Sequence, residues 1–272
     1  MQHRTIAFIG AGNMSRSIIS GMVSSGYPAD KITASNPSTP KLDALSADFG
    51  INTTTDNLQA LQQSEVIVLA VKPQLMEKVC EHLQQTDLSD KLFISIAAGI
   101  EQKRLLEMLG GNYKLVRTMP NTPSSLAKGM TGLYADKSIS DTDRQYAGDL
   151  LKQVGEILWV EQESMINGVI AAAGSSPAYF FLFLQSMQEE AMRMGFDQDA
   201  SRLLVQQAML GAAEMVCHNP QLELSELRAQ VTSKGGTTAQ AIASFQDSDI
   251  AGVVSKAMQA AVNRAKQMSD LF

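Results

Sequence analysis

Short apolar runs rich in β-branched residues alternate with helical patterns through the first half of the chain. The runs are too brief for helices and carry almost no polar residue inside, as strands buried on both faces do. The spacing predicts strands over Thr5–Ile9, Ile32–Ser35, Val66–Val71, Leu92–Ile96, Leu115–Thr118, Met130–Tyr134 and Ile157–Val160, with a short one at Ile51. Helices are expected over about 13–24 and 40–49, and where Leu105, Leu106 and Leu109 share a side. Another opens at Ser140, whose hydroxyl is placed to cap it with Asp143 as capping-box partner. This alternation belongs to the α/β class: a Rossmann-type, doubly wound, mainly parallel sheet.

Beyond Ser164 the pattern changes. Alanine, methionine and leucine dominate at helical spacing, with short breaks at Gly195, Asn219-Pro220 and Gly235-Gly236. Two domains follow, residues 1–162 and an all-α domain over 163–272. Phe180 to Leu184 place apolar side chains on every side of their helix, leaving no face for water. A domain of about 110 residues has too little interior to cover such a helix alone, so a second subunit is expected to do so. The stretch Ile166 to Met187 is apolar enough to raise the question of a membrane span. Gly174-Ser175-Ser176-Pro177 interrupts it, which predicts a buried helix pair and no membrane partner.

Composition narrows the partners. A net charge of -6 with no long basic run argues against nucleic acid, and any anion site must therefore be local. Cys80 and Cys217 fall in apolar helical patterns and read as buried, reduced thiols of a cytoplasmic protein. No cysteine–histidine cluster suggests a metal. The chain enters its first strand directly, without a cleavable signal pattern.

Ile6-Ala7-Phe8-Ile9-Gly10-Ala11-Gly12-Asn13-Met14 is a strand running through a Gly-x-Gly turn into a helix. Gly10 permits the tight turn and Gly12 lets backbone approach a pyrophosphate. The amides from Asn13 and Met14 onward would then bind its charge. Ser15 stands where the third fingerprint glycine would be. After the second strand, Ala34-Ser35-Asn36-Pro37-Ser38-Thr39 offers an amide and hydroxyls, with Lys41 one turn on, and no carboxylate to repel a 2′-phosphate. That favours NADP(H) over NAD(H), with NAD(H) as the second choice. Ser35 and Asn36 are the candidate ribose-phosphate contacts. Val71-Lys72-Pro73, Ala97 and Asn121 follow later strands on the same carboxyl edge, where they either wall a nicotinamide pocket or serve only as turns.

A second candidate lies between helices at Ser233-Lys234-Gly235-Gly236-Thr237-Thr238. Two glycines free the backbone, Thr237 is a natural N-cap, and amides converging at a helix start suit a carboxylate. A plain interhelical turn is the alternative. Leu227 to Phe245 resembles the signature of the pyrroline-5-carboxylate reductases, usually a Ser-Pro-Gly-Gly-Thr-Thr loop opening a helix. Gly10 to Met14, Ala70 to Pro73, Val116 to Pro123 and Gly174 to Tyr179 are similar to that family in order and spacing. Lys234 replaces the family's proline and Ser176 a glycine.

The resemblance implies NAD(P)H-dependent hydride transfer to the cyclic imine of 1-pyrroline-5-carboxylate, giving L-proline. It also implies a homodimer at least, compatible with a ring of dimers. Ser233, Gly235, Gly236 and Thr237 would hold the substrate carboxylate, and Thr238 would donate a hydrogen bond at the ring nitrogen. Two other readings remain. A β-hydroxyacid dehydrogenase would need a lysine within Asn167 to Tyr179, which has none. A non-catalytic NADP(H)-sensing dimer would need no second anion site.

Overall fold

In β1 (Ile6–Ile9) every residue is buried, and the strand's alternation sends neighbours to opposite faces of a sheet. Ile6 and Phe8 join one apolar layer, Ala7 and Ile9 another. The same split recurs at Val66 and Val68 against Ile67 and Leu69, and at Ile94 against Phe93. Two separate cores, one on each face, are what a doubly wound sheet requires. The computed structural model describes residues 3–269 and 271. Met1 and Phe272, outer limits of the two expected domains, lie outside the described residues.

From β1 the chain turns into α1 (Asn13–Ser24), β2 (Ile32–Ser35), α2 (Thr39–Phe49), β3 (Asn52–Thr54) and α3 (Asn57–Gln62). It continues through β4 (Val66–Leu69), α4 (Pro73–Leu83), β5 (Leu92–Ser95), α5 (Gln102–Leu109) and β6 (Lys114–Met119). β7 (Gly129–Ala135), α6 (Asp141–Lys152) and β8 (Gly155–Trp159) complete an eight-stranded sheet of order β3-β2-β1-β4-β5-β6-β7-β8. Among the described residues only the β6–β7 pair is antiparallel. The first six strands carry the Rossmann order, whose switch point lies at β1 between β2 and β4.

Local chemistry explains most boundaries. Gly50 and Gly110 close α2 and α5 in the left-handed region, at φ 68 and 77°. Ser140 caps α6 by accepting the Asp143 amide at 3.1 Å. The expected reciprocal bond is not formed as a capping box. Asp143 instead takes the Ser140 hydroxyl at 3.1 Å and the Arg4 guanidinium at 2.8 Å.

The remaining helices are α7 (Ile166–Val169), α8 (Ser176–Arg193), α9 (Gln198–His218), α10 (Leu224–Gln230), α11 (Thr237–Asp247) and α12 (Ile250–Ser269). Between α7 and α8 lies a π-helical turn, Ile170–Gly174, so the expected break there narrows to the bend at Ser175. The helical run 163–193 is long and apolar enough to cross a membrane by length and composition, a test that core helices of soluble proteins also pass.

The chain divides into two compact units, Met1–Pro177 with Ala260–Phe272, and Ala178–Gln259. The first therefore includes the end of α12, whose Ala265 joins Val160, Ile166, Val169 and Ile170 in a third apolar cluster. The second is helical throughout, and few of its residues are buried, among them Val205 and Leu227. Cys80 is buried, and burial, reinforced by Glu77, pushes its thiol up to about 12. Cys217, expected to be buried, is exposed on α9 of the single chain.

Candidate active site

The turn after β1 packs its backbone tightly against the ends of β2 and β4. Gly10 sits at φ 112°, and a Cβ there would lie 2.7 Å from the Ala70 carbonyl oxygen. Only glycine fits. Its amide donates to the Ser35 carbonyl at 2.8 Å, tying the turn to β2. Ser15, fully buried, donates its hydroxyl to the Gly10 carbonyl at 2.6 Å. The residue that departs from the three-glycine fingerprint thus holds the first glycine in place. Gly12 is the N-cap of α1, no side chain caps the helix, and a Cβ at Gly12 would meet nothing within 4 Å. Uncapped amides beside open space form an anion cradle.

Above β1, at the switch point, lies a cleft of about 510 Å³. The β2 side contributes Ser35, Asn36, Pro37 and Lys41; the β4 side contributes Val71, Lys72, Leu75, Lys78, Val79 and His82. Asn36 accepts the Ala11 amide at 3.5 Å and donates to Ser38, which fixes the β2 loop. Ser35 is buried and its hydroxyl is committed to Asn57 Oδ1 at 2.7 Å, so its side chain braces the cleft floor. Lys72 is the N-cap residue of α4 and Pro73 follows at the first helical position.

The other expected cofactor residues do not line this cleft. Asn13 is exposed at the first position of α1, and Met14 packs on the first apolar layer. Ala97 is buried in the second layer. Asn121 is buried, accepts the Met130 amide at 2.8 Å and donates to the Ala173 carbonyl at 3.0 Å. Its side chain joins the β6–β7 connection to the π-helical turn, with one hydrogen bond at each of its polar atoms. Sequence reading passed over Thr55, Asn57, Leu75, Lys78, Val79 and His82. Leu75, Lys78, Val79 and His82 repeat at i, i+3, i+4 and i+7, a helix face that points at the carboxyl edge. That periodicity was the available signal.

The second candidate site lies in the helical unit. Gly235 adopts φ 74° and Gly236 is extended, with its amide bonded to the Ser233 carbonyl at 3.0 Å. A Cβ on Gly236 would collide with Ser233 Oγ. Gly236, rather than Thr237 as expected, is the N-cap of α11, and no side chain caps it. Thr237 and Thr238 therefore occupy the first helical positions and are exposed. The uncapped helix start presents amides with two hydroxyls beside them, a donor set suited to a carboxylate.

Residues 163–268 match the family of pyrroline-5-carboxylate reductase dimerisation domains, and residues 5–99 match the family described as NADP oxidoreductase, coenzyme F420-dependent. The chain is 57% identical to the pyrroline-5-carboxylate reductase of Vibrio alginolyticus over the full length of both. Its structure resembles that of a pyrroline-5-carboxylate reductase from Coxiella burnetii, with 40% identity, a TM-score of 0.91 and 98% and 99% of the two chains covered. It also resembles pyrroline carboxylate reductase of Plasmodium falciparum with NADP bound, with 28% identity, a TM-score of 0.89 and 99% of each chain covered. A Gly-x-Gly cradle on a Rossmann sheet, a glycine-threonine helix start and full-length identity above half all point one way: the chain belongs to the pyrroline-5-carboxylate reductase family of oxidoreductases.

Proposed function

We propose that this chain reduces 1-pyrroline-5-carboxylate to L-proline, taking hydride from NADP(H) in preference to NAD(H). The observation that carries the reading is 57% identity over the full length with a reductase of that name, in a chain with two uncapped glycine turns at helix starts. The cleft above β1 fits a 2′-phosphorylated nucleotide: it is lined by Lys41, Lys72, Lys78 and His82 and, among the described residues, by no carboxylate. Half-exposed Leu75, with Val79, offers an apolar platform for a flat ring. The bound dinucleotide supplies a hydride donor, and the chain supplies position and dryness. In this reading Gly10, Gly12, Asn13 and Met14 serve the pyrophosphate, Ser35 and Asn36 shape the ribose end, and Val71, Lys72, Pro73, Ala97 and Asn121 wall or support the nicotinamide end.

Ser233, Gly235, Gly236 and Thr237 hold the substrate carboxylate at the start of α11, which fixes the ring. The Thr238 hydroxyl hydrogen-bonds the ring nitrogen and orients the C=N bond. A protonated imine carbon is already electrophilic, so alignment and exclusion of water carry most of the acceleration. The functional division falls at residues 1–162 and 163–272. The helical part pairs with a second copy, which covers the apolar positions exposed on α8 and α9, such as Phe181, Leu182, Leu203 and Leu204. A cytoplasmic homodimer, able to assemble further into a ring of dimers, accommodates all of these features.

A spectrophotometric assay with pyrroline-5-carboxylate and each reduced cofactor tests the activity and the preference together. Thr238→Ala is expected to lower kcat by about tenfold, the worth of one oriented hydrogen bond in the transition state. Undiminished turnover removes Thr238 from the chemistry, and no imine turnover with either cofactor overturns the reading.

A further inference from the structure

We propose that Lys78, on α4, is a specificity-determining residue that faces Lys41 across the cleft, so that selection of the 2′-phosphate is shared by two lysines on opposite walls. The inference rests on the cleft above β1 being the dinucleotide site. Arginine commonly takes this phosphate at the end of β2, and that loop, Asn36 to Thr39, contains none. Lys41 lies in the first turn of α2 and Lys78 in the second turn of α4, and both line the same cavity. Because β2 and β4 flank β1 on either side, the two lysines approach the cleft from opposite directions.

Their charges are available. Among the described residues no carboxylate lies within 4 Å of either ammonium, whereas Lys114 is held near Asp143 and Lys31 and Lys91 donate to backbone carbonyls. Glu77, the sequence neighbour of Lys78, is taken by Arg104 at 2.7 Å. A cleft with unpaired cations on two walls and, among the described residues, no lining carboxylate concentrates positive potential in a molecule whose total charge is -6. Lysine reaches a phosphate as a point charge on a flexible stem, so two of them can converge on one group without the planar fork of arginine.

The test is binding of adenosine 2′,5′-bisphosphate and of adenosine 5′-monophosphate by calorimetry, with the ratio of kcat/KM for NADPH and NADH as a parallel readout. Both side chains are exposed, so Lys78→Met and Lys41→Met leave the core intact. Each is expected to lower the preference for the bisphosphate by about tenfold, as loss of one charge-assisted contact should. Lys78→Arg should restore most of it, and the wild-type preference should shrink as salt rises. If Lys78→Met leaves the bisphosphate preference unchanged while Lys41→Met removes it, Lys78 has no part in selection and the proposal falls. If the wild-type protein binds both nucleotides equally, the NADP(H) reading itself fails, and the shared-lysine proposal with it.

Discussion

The sheet-bearing unit and the helical unit are made from similar apolar residues, yet they use them in opposite ways. In the first, Ile6, Phe8, Ile67 and Phe93 are fully buried in layers on the two faces of one sheet. In the second, Phe181, Leu203 and Leu204 are between 51% and 66% exposed although they sit in long, regular helices. A sheet with helices on both faces closes its own core within one chain. Helices apolar on more than one face cannot do so, and single-chain exposure on this scale marks a surface that belongs to an assembly. The two uncapped glycine turns divide the same way, the one at Gly12 in the self-sufficient unit and the one at Gly236 in the other.

The sharpest way to break this contrast is to remove one phenylalanine from each unit. Phe93→Ala leaves a cavity beside Tyr113, whose ring lies 5.9 Å away, and is expected to cost about 3–5 kcal/mol. The urea midpoint should fall while sedimentation still shows the wild-type assembly. Phe181→Ala should do the reverse, raising the fraction of dissociated chain with a smaller fall in the midpoint. Were Phe181→Ala to leave the assembly untouched, the exposed helical face would not be the one that a second copy covers.

Ion pairs sharpen the comparison at a lower magnitude. Arg117 on β6 is buried and donates to Glu163 at 2.8 Å; the same carboxylate oxygen accepts the Gln102 amide at the start of α5. Nε and Nη2 of Arg117 have no other protein partner, so Glu163 is its sole counter-charge among the described residues. Glu163→Gln strands that cation and should cost about 3 kcal/mol. In the helical unit the Arg193–Glu190 pair spans one turn on an exposed surface, and Glu190→Gln should change stability by less than about 0.5 kcal/mol. Equal effects on the two chemical-denaturation midpoints would contradict the division drawn here.

How much of this was legible in the sequence follows the range of each interaction. The strand–helix alternation was, because period-two burial and short apolar runs are local. The Gly10 turn was as well, since a glycine at φ 112° is a local demand. Ser15 was read as a missing glycine, although its hydroxyl holds the turn, because the Gly10 carbonyl it meets is a feature of the folded turn rather than of the spacing. Asn121 was read as facing a ligand, and its two bonds run to Met130 and Ala173, the latter more than fifty residues away. Thr237 looked like a cap, yet Gly236 takes the position, preceded by Gly235 in the left-handed region. Cys217 followed an apolar pattern that in this chain is not buried. Such patterns say that a face needs cover and leave open whose atoms provide it.

A change of pH separates the units as well. Asp143 is buried, which alone would raise its pKa; hydrogen bonds from Arg4 and Ser140, with the charges of Lys114 and Arg4, outweigh burial and hold the carboxyl below its ordinary value. A depressed folded-state value means that the contribution is complete above the unfolded carboxylate pKa, about 3.9. It is lost as the pH falls through the folded value. The bond joins the segment leading into β1 to α6, and so lies within the sheet-bearing unit. In the helical unit the Arg193–Glu190 pair is a surface contact, which offers acid little to remove. Asp143→Asn should therefore lower the urea midpoint at pH 7, and the difference from wild type should shrink as the pH is taken below 4. The change in that difference is expected to be about 1 kcal/mol, the scale of one partly buried charged hydrogen bond. If the difference persists undiminished in acid, the carboxylate's charge is not what ties α6 to the first strand, and packing of Arg4 over the Tyr146 ring, 4.3 Å away, becomes the better account.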